Sequence, residues 1–175
     1  FMKKIFLSLS LIFFAFSAAA QDPSREPDVQ KFVEEIGNKI VGIANEKNTS
    51  EAKKKEKIIA IIDSVIDSDW IAHFVLGKNY RTITEAQRTK FTSLYRQFMI
   101  NTYGPKFKNY NGRKFTVNTV TEQNSFYIAK AEFLPRDSNV AINVDFRVKE
   151  RGGKLVILDF IAEGISLIET QRSEF

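Results

Sequence analysis

The spacing of hydrophobic positions changes along the chain. Before residue 104, apolar residues recur three or four positions apart, which places them on one face of an α-helix. After residue 113, apolar and polar residues alternate, as they do on the two faces of a β-strand. Because helices come first and strands last, the pattern predicts an α+β domain: N-terminal helices packed on one face of a C-terminal four-stranded antiparallel sheet.

The first two predicted helices are separated by a polar loop. Asp28 is placed to cap the first helix, whose apolar face continues to Ile43. Residues 45–50 then lack periodicity, and a second helix should begin at Ser50 or Glu51. The inner face of this second helix is predicted to consist of Ile58, Ile61, Ile62 and Val65.

Two further helices are delimited by capping and breaking residues. Ser68 is placed to cap a short third helix, which Gly77 should end. Thr84 and Gln87 form a capping-box pattern at the start of a long fourth helix. The Gly104-Pro105 pair should kink or stop that helix, because proline cannot continue the backbone hydrogen bonding.

The strand region ends in a segment that is apolar on both of its sides. A tight turn at Arg151-Gly152-Gly153 should lead into the fourth strand, residues 154–163. In this strand Leu155, Ile157 and Ile161 alternate with residues that are also apolar. We expect one side to meet the helices or a ligand, and the other to be covered by the C-terminal tail, residues 165–175.

The first twenty residues have the composition of a secretory signal. Two lysines precede the apolar run Ile5–Phe16, and the small residues at 17–20 suit a signal peptidase. The run is shorter than the roughly 20 residues that a membrane-spanning helix needs. We therefore predict cleavage after Ala20 and a single domain over residues 21–175, with an uncleaved anchor as the alternative. Export would place the protein in the periplasm.

Charge and cysteine content narrow the possible functions. The formal net charge is +5 and the chain contains no cysteine, so disulfides, thiol nucleophiles and thiolate metal sites are excluded. Several lysines cluster at residues 53–57. They are either a solvated helix face or a surface weakly attracted to anionic lipid headgroups. No nucleic-acid-binding motif is present, and we expect no nucleic acid as partner.

Catalytic candidates are few. His73 is the only histidine, so a histidine metal cluster is excluded, and we expect no metal and no cofactor. Asp63 and Asp67 lie one helical turn apart, as carboxylate pairs in hydrolases can, with Asp69 close behind. A hydrolase using Asp63, Asp67 or His73 is one hypothesis, but helix caps and solvated charges explain the same aspartates.

Phenylalanine is the most distinctive feature of the composition. The chain has 16 phenylalanines, spread over predicted helices and strands alike. Such apolar faces could close on each other as an ordinary core. Alternatively, helices and sheet could close incompletely and enclose an apolar cavity for a ligand. Periodicity does not decide between these two interpretations.

Two sets of short motifs resemble the MlaC family of periplasmic phospholipid-binding proteins. The central set is Leu76-Gly77, Tyr80-Arg81, Thr84, Gln87-Arg88, Phe91 and Thr102-Tyr103. The C-terminal set is Val144-Asp145-Phe146-Arg147, Glu163-Gly164-Ile165-Ser166-Leu167 and Arg172-Ser173-x-Phe175. The family usually has tryptophan where this chain has Tyr80, which bears on local packing only.

The resemblance implies a soluble carrier that catalyses no reaction and acts as a monomer. Family members shuttle phospholipid between an outer-membrane lipoprotein–porin complex and an inner-membrane ABC transporter complex. Their acyl chains occupy an apolar pocket between helices and sheet. Here that pocket is predicted to be lined by Phe32, Ile36, Phe74, Phe91, Leu94, Phe98, Tyr103, Val117, Ile128, Val144, Phe146, Leu158 and Phe160. The runner-up is a non-catalytic periplasmic interaction module with an ordinary packed core.

Overall fold

The computed structural model describes residues 24–103 and 112–175. Two predictions lie outside these ranges, the signal segment 1–20 and the helix stop at Gly104-Pro105. The described helices are α1 (Glu26–Ala44), α2 (Glu51–Val65), α3 (Ser68–Leu76), α4 (Glu85–Tyr103) and α5 (Leu167–Glu174), with a 3-10 turn at Gly77–Arg81. The described strands are β1 (Gly112–Gln123), β2 (Phe126–Pro135), β3 (Ile142–Arg151), β4 (Lys154–Ala162) and β5 (Ile165–Ser166).

Side-chain caps explain where two of the helices begin. The Ser50 hydroxyl accepts a hydrogen bond from the Lys53 backbone N–H at 3.3 Å and caps α2, which begins at Glu51, within the predicted start. At α4 the capping box closes in both directions. Gln87 Oε1 accepts from the Thr84 N–H at 2.8 Å, and Thr84 Oγ1 accepts from the Gln87 N–H at 3.3 Å.

Two predicted caps were wrong. Helix α1 begins at Glu26 and already contains Asp28 in its first turn, because a proline is well accommodated at a helix start, where its missing N–H needs no partner. Helix α3 is capped by Asp67, whose Oδ1 accepts from the Trp70 N–H at 2.9 Å. The predicted cap, Ser68, is the first helical residue instead.

The strands form one antiparallel meander in the order β1-β2-β3-β4-β5. The prediction of four strands was wrong by one, because it missed β5, which pairs with Ile161 and Ala162 of β4. The turn before β5 places Glu163 at φ 49° and Gly164 at φ 80°, so the chain reverses within two residues. A two-residue strand is too short to show an alternation in sequence.

Helix α1 lies directly on one face of β1 and β2. A Cβ atom added at Gly37 would lie 2.2 Å from Cδ1 of Phe115, so only glycine allows this close approach. Phe146 packs edge-on against Phe115 and Phe160, with ring centroids 5.9 and 5.2 Å apart. The buried residues of this α1–sheet core are Val29, Val33, Ile36, Phe115, Val117, Ala129, Ala131, Phe133, Phe146, Val148 and Ile157.

The C-terminal tail covers the second side of β4, as predicted. A β-bulge at Leu158 interrupts the alternation of β4, so Leu155, Ile157 and Phe160 all pack in the α1–sheet core and Asp159 points to the opposite face. The prediction that Leu155 and Ile157 lie on the side away from Phe160 was therefore wrong. On the opposite face the Asp159 carboxylate accepts hydrogen bonds from the Ser166 hydroxyl at 2.6 Å and from the Ile168 N–H at 3.2 Å. The start of α5 is therefore fastened to the face of the sheet that α1 does not cover.

Candidate functional site

Helices α3, α4 and α5 form a second apolar layer. Its buried centre consists of Ile71 and Val75 of α3, Tyr95 of α4 and Ile168 of α5. Trp70, Phe74, Phe91 and Met99 pack around this centre and are only partly buried. The layer therefore brings together residues from three helices that are far apart in sequence.

An aromatic surface lies along α4 and the C-terminal residue, and we call it the α4 aromatic face: Phe91, Leu94, Tyr95, Phe98 and Phe175. The Phe175 ring contacts the rings of Phe91, Tyr95 and Phe98 edge-on, with centroids 5.8 to 6.1 Å apart. Leu94 is 53% exposed, Phe98 37% and Phe175 54%. Phe98 and Phe175 are thus clustered, and together with Leu94 of the same helix they are only partly covered by protein.

Helix α4 buries few of its side chains. Of its 19 residues only Tyr95 is fully buried, whereas α1, of equal length, buries five. One contact to the rest of the fold is polar: Arg96 Nε donates to Asp63 Oδ1 of α2 at 2.8 Å. The apolar side of α4 is therefore larger than the protein surface that covers it.

A buried polar cluster lies between the sheet and α5. Asp159 and Gln171 are 1% and 2% exposed. Burial raises the pKa of Asp159, while its hydrogen bonds from Ser166 and Ile168 and the nearby Arg147 guanidinium, 3.8 Å away, act in the opposite direction. Arg147 also faces Glu169 of α5, which ties the helix to β3.

Some buried polar atoms of this region have no hydrogen-bond partner among the described residues. They are Tyr95 Oη, Arg147 Nε and Gln171 Oε1. The Gln171 amide donates to the Tyr103 hydroxyl at 3.2 Å, so its other end remains unpartnered. Burial raises the pKa of Tyr95, so its hydroxyl stays protonated and able to donate. An unmade bond of this kind costs about 1–3 kcal/mol, so these atoms suit a polar ligand group or water.

The structure divides the predicted lining residues between the two layers. Six belong to the α1–sheet core, namely Phe32, Ile36, Val117, Val144, Phe146 and Phe160. Phe74 and Phe91 border the second layer, and Leu94 and Phe98 lie on the α4 aromatic face. Tyr103 reaches Gln171. Ile128 and Leu158 are buried outside both groups, at 7% and 1% exposure.

The two layers differ in how much space they leave for a ligand. Where Gly37 meets Phe115, α1 and β1 are in direct contact and leave no gap. Two surface concavities occur elsewhere, a polar one on the outer side of α1 and one beside α3 that includes Trp70 and Phe74. The predicted pocket between helices and sheet, and the lining residues assigned to it, stay predictions.

The catalytic candidates have structural roles in the described residues. Asp63 is paired with Arg96, and Asp67 both caps α3 and faces Arg151 at 3.1 Å. The exposed His73 ring lies against Tyr80, with centroids 4.0 Å apart. Over residues 24–103 and 112–175, no group of three or more His, Asp or Glu side chains could hold a metal ion.

Within residues 24–103 and 112–175, none of the helices combines the length and the apolar character that crossing a membrane demands.

The buried polar cluster was missed from sequence. A signal was available, because Asp159 is the only charged residue in the otherwise apolar run Leu155–Ile161. A charge inside such a run is expected to find a buried partner. Its partners Ser166 and Ile168 could not be identified, since the return of the tail depends on β5.

Comparisons with known proteins agree with the fold. A family model described as "MlaC protein" matches residues 30–175. Among solved structures, a phospholipid-binding protein from Ralstonia solanacearum, determined in complex with a phospholipid, has a similar fold, with a TM-score of 0.66. The two share 16% sequence identity over 87% of this chain and 85% of the other. At that identity the likeness is one of fold.

Proposed function

The chain belongs to the MlaC protein family, and we propose that it is a periplasmic carrier that binds phospholipid acyl chains and moves the lipid between membranes. The solved relative of similar fold from Ralstonia solanacearum holds a phospholipid, which supports the choice of ligand. The N-terminal signal pattern supports the periplasmic location. In this proposal the protein binds its cargo and catalyses no reaction.

The observation that carries the proposal is the α4 aromatic face. Phe98 and Phe175 form one cluster with Phe91 and Tyr95, yet these two side chains and Leu94 of the same helix leave 37–54% of their surface exposed. Contiguous apolar surface of this kind marks a binding site rather than ordinary protein exterior. An acyl chain is a suitable occupant, because each methylene leaving water gains roughly 0.8 kcal/mol and needs no specific geometry.

The same energetics explain why a carrier is needed. The two chains of a phospholipid contain about 30 methylenes, so exposing them to water would cost on the order of 20 kcal/mol. The carrier must supply a comparable apolar surface and still release the lipid. Release therefore requires a partner, or an opening of the helices, that favours the unloaded form.

Helices α2 and α4 are the elements best suited to such an opening. Each fully buries a single residue, Ile58 in α2 and Tyr95 in α4. The Arg96–Asp63 pair links the two helices. Because both ions of this pair are about 40% exposed, it contributes little to stability, and the two helices can move apart at modest cost.

The partners in this proposal are two membrane complexes. The family resemblance supports an outer-membrane lipoprotein–porin complex at one end and an inner-membrane ABC transporter complex at the other. A carrier alone can only distribute lipid between its two partners according to their relative affinities for the lipid. ATP hydrolysis at the transporter would therefore set the direction of transport.

Mass spectrometry of the purified protein under native conditions tests the proposal. We expect the protein to carry phospholipid, and the extracted lipid to be stoichiometric with the chain. Removal of the lipid and re-exposure to vesicles should restore the loaded mass. Recovery of the protein without phospholipid, and no uptake from vesicles, would contradict the proposal.

A pair of bulky substitutions tests whether the α4 aromatic face is the site. Phe98→Trp should lower the bound lipid, because the larger ring fills space that an acyl chain would use. Val140→Trp is the matched control, since Val140 is 74% exposed in the β2–β3 connection, which lies outside the α4 aromatic face. Equal lipid content in both variants would remove Phe98 from the lining.

A non-catalytic interaction module with a packed core remains the second candidate. The tight contact of Gly37 with Phe115 favours it, since α1 and β1 leave no room for a ligand. It predicts that the α4 aromatic face is covered by a partner protein and that no lipid co-purifies. The same mass measurement therefore separates the two candidates.

A further inference from the structure

A cationic groove lies beside α3, at its junction with the 3-10 turn and α5. It has a volume of about 430 Å³. Its cations are Lys78 and Arg81 of the 3-10 turn and Arg172 of α5, and none of its lining residues is acidic. A volume of this size is at the low end of the range typical for small-ligand sites.

The three groove cations have no carboxylate partner among the described residues. Elsewhere Lys57 pairs with Glu46, and Arg151 pairs with Asp67. Lys78, Arg81 and Arg172 form no such ion pair in residues 24–103 and 112–175, although the Arg172 guanidinium lies over the Phe74 ring at 4.8 Å. The groove is therefore a concave, positively charged surface with its charge still available.

The wall of the groove is aromatic. The rings of Trp70 and Phe74 stack with centroids 5.3 Å apart and an interplanar angle of 18°. Both belong to the edge of the apolar layer formed by α3, α4 and α5. The groove thus combines cations with aromatic surface, the combination that proteins place at the membrane–water interface.

A glycine makes this groove possible. Gly77 ends α3 with φ at 54°, a conformation that favours glycine and turns the chain into the segment with Lys78 and Arg81. A Cβ at Gly77 would lie 3.4 Å from Arg172 Nη2, so α5 approaches the turn closely. Two motifs singled out in the sequence, Leu76-Gly77 through Arg81 and the one beginning at Arg172, therefore meet here.

We propose that this groove binds the phosphate of an anionic phospholipid presented at a membrane surface. The phosphate would accept hydrogen bonds from Arg81, Arg172 and Lys78, because guanidinium groups match phosphate oxygens in geometry. The glycerol region would pack on Trp70 and Phe74. The site goes beyond the proposed carrier function, since it recognises lipid still in the membrane, whether or not cargo is bound.

A lipid headgroup fits the groove better than an acidic peptide does. Peptide carboxylates would engage the cations but would leave the stacked Trp70–Phe74 wall in contact with water. A phospholipid headgroup offers its phosphate and its apolar glycerol region within a few ångströms of each other, and so meets both parts of the groove. An acidic peptide is retained as an outcome of the experiment below.

Vesicle co-sedimentation of the purified protein tests the proposal. Vesicles of phosphatidylcholine alone are compared with vesicles that also contain phosphatidylglycerol. The test variant is Lys78→Ala/Arg81→Ala, which leaves the Arg172–Phe74 contact in place. The matched control is Lys47→Ala/Lys114→Ala, which removes the same charge from two exposed positions outside both the groove and the α2 lysine run.

We expect the parent protein to bind the anionic vesicles and not the neutral ones. Each cation near an anionic surface strengthens binding about fivefold, so the test variant should bind on the order of 30-fold more weakly. The control variant should bind like the parent. Equal losses in both variants would show a diffuse charge effect and overturn the proposal.

Two further outcomes would also overturn the groove assignment. Displacement by millimolar glycerol 3-phosphate with no vesicle binding would indicate a site for soluble phosphate esters. Binding of a poly-glutamate peptide, with no vesicle binding, would indicate an acidic protein partner. Lipid content by native mass spectrometry is measured on the same samples, so failure of the groove and failure of the carrier function are distinguishable.

Discussion

The two apolar layers of this protein differ in how completely they are closed. In the α1–sheet core, Phe115 and Phe146 are 9% and 7% exposed, and the backbone of α1 touches a ring at Gly37. In the second layer, Phe98 and Phe175 form similar edge-on ring contacts but expose 37% and 54% of their surface. Aromatic content alone therefore does not determine whether a layer is a core.

The difference follows from the surface that each helix faces. Helix α1 lies on a broad sheet, so that every apolar residue on its inner side finds a partner. Helix α4 meets mainly α3 and the end of α5, which are nine and eight residues long. Two short helices cannot cover one long apolar face, and the remainder is available to a ligand.

Alanine substitutions should give the largest contrast between the layers. Phe146→Ala removes a buried ring and should lower the free energy of unfolding by about 3–5 kcal/mol. Phe98→Ala removes a partly exposed ring and should cost roughly 1 kcal/mol or less, since less area leaves the protein interior. Urea unfolding of the delipidated variants measures both. Similar losses would mean that the second layer is also an ordinary core.

Two glycines of α1 sharpen the comparison within a single helix. Gly37→Ala should destabilise by about 1–3 kcal/mol, because the added methyl group would overlap the Phe115 ring. Gly42→Ala is the matched control, since a Cβ there meets no atom within 4 Å. It should stabilise by roughly 0.5–1 kcal/mol through helix propensity. Both variants are measured by urea unfolding. If both substitutions changed the free energy of unfolding in the same direction, direct contact of α1 with the sheet would be contradicted.

The capping box of α4 should stabilise the helix by about 1 kcal/mol. Thr84→Ala removes the side-chain acceptor of the Gln87 N–H and should lower helix stability by that amount. Because α4 is held by little burial, we expect amide exchange to quicken along α4 while α1 is unaffected. Thr84→Ser keeps the acceptor and serves as control. Equally faster amide exchange in α4 and α1 would show that the two layers do not open independently.

The smallest expected effect is the pH dependence of stability that the Asp159 carboxyl contributes. Since burial raises its pKa, the folded state binds the proton more tightly than the unfolded state. Its contribution to stability is therefore full below the ordinary carboxyl pKa of about 4 and declines as pH rises towards the raised folded pKa. Asp159→Asn should remove this decline while keeping an acceptor for the Ile168 N–H.

The pH dependence is measured as the urea midpoint over a pH series. Asp137→Asn is the control, because it removes the same charge from an exposed site between β2 and β3. The control should retain the pH dependence of the parent. A pH dependence that survives in Asp159→Asn would show that another group, such as Asp145, whose pKa is also raised by burial, is responsible.

Much of the fold was predictable because local signals were strong. The α+β order, the Thr84 capping box and the glycine stop of α3 followed from periodicity and short motifs. The missed strand β5 has two residues and the Asp67 cap one, and over so few residues at element boundaries such signals are weak. The α4 aromatic face was predicted as apolar, but its exposure was not.

By itself, the sequence determined which residues are apolar, in what period they recur, and which parts of the chain are helical or extended. These are properties of neighbouring residues and of backbone preference. Only the tertiary structure decided which apolar faces are covered: that Gly37 admits Phe115, that α5 returns to Asp159, and that Arg172 reaches the turn after α3. Coverage depends on the area that distant segments present to each other, and no local pattern encodes that area.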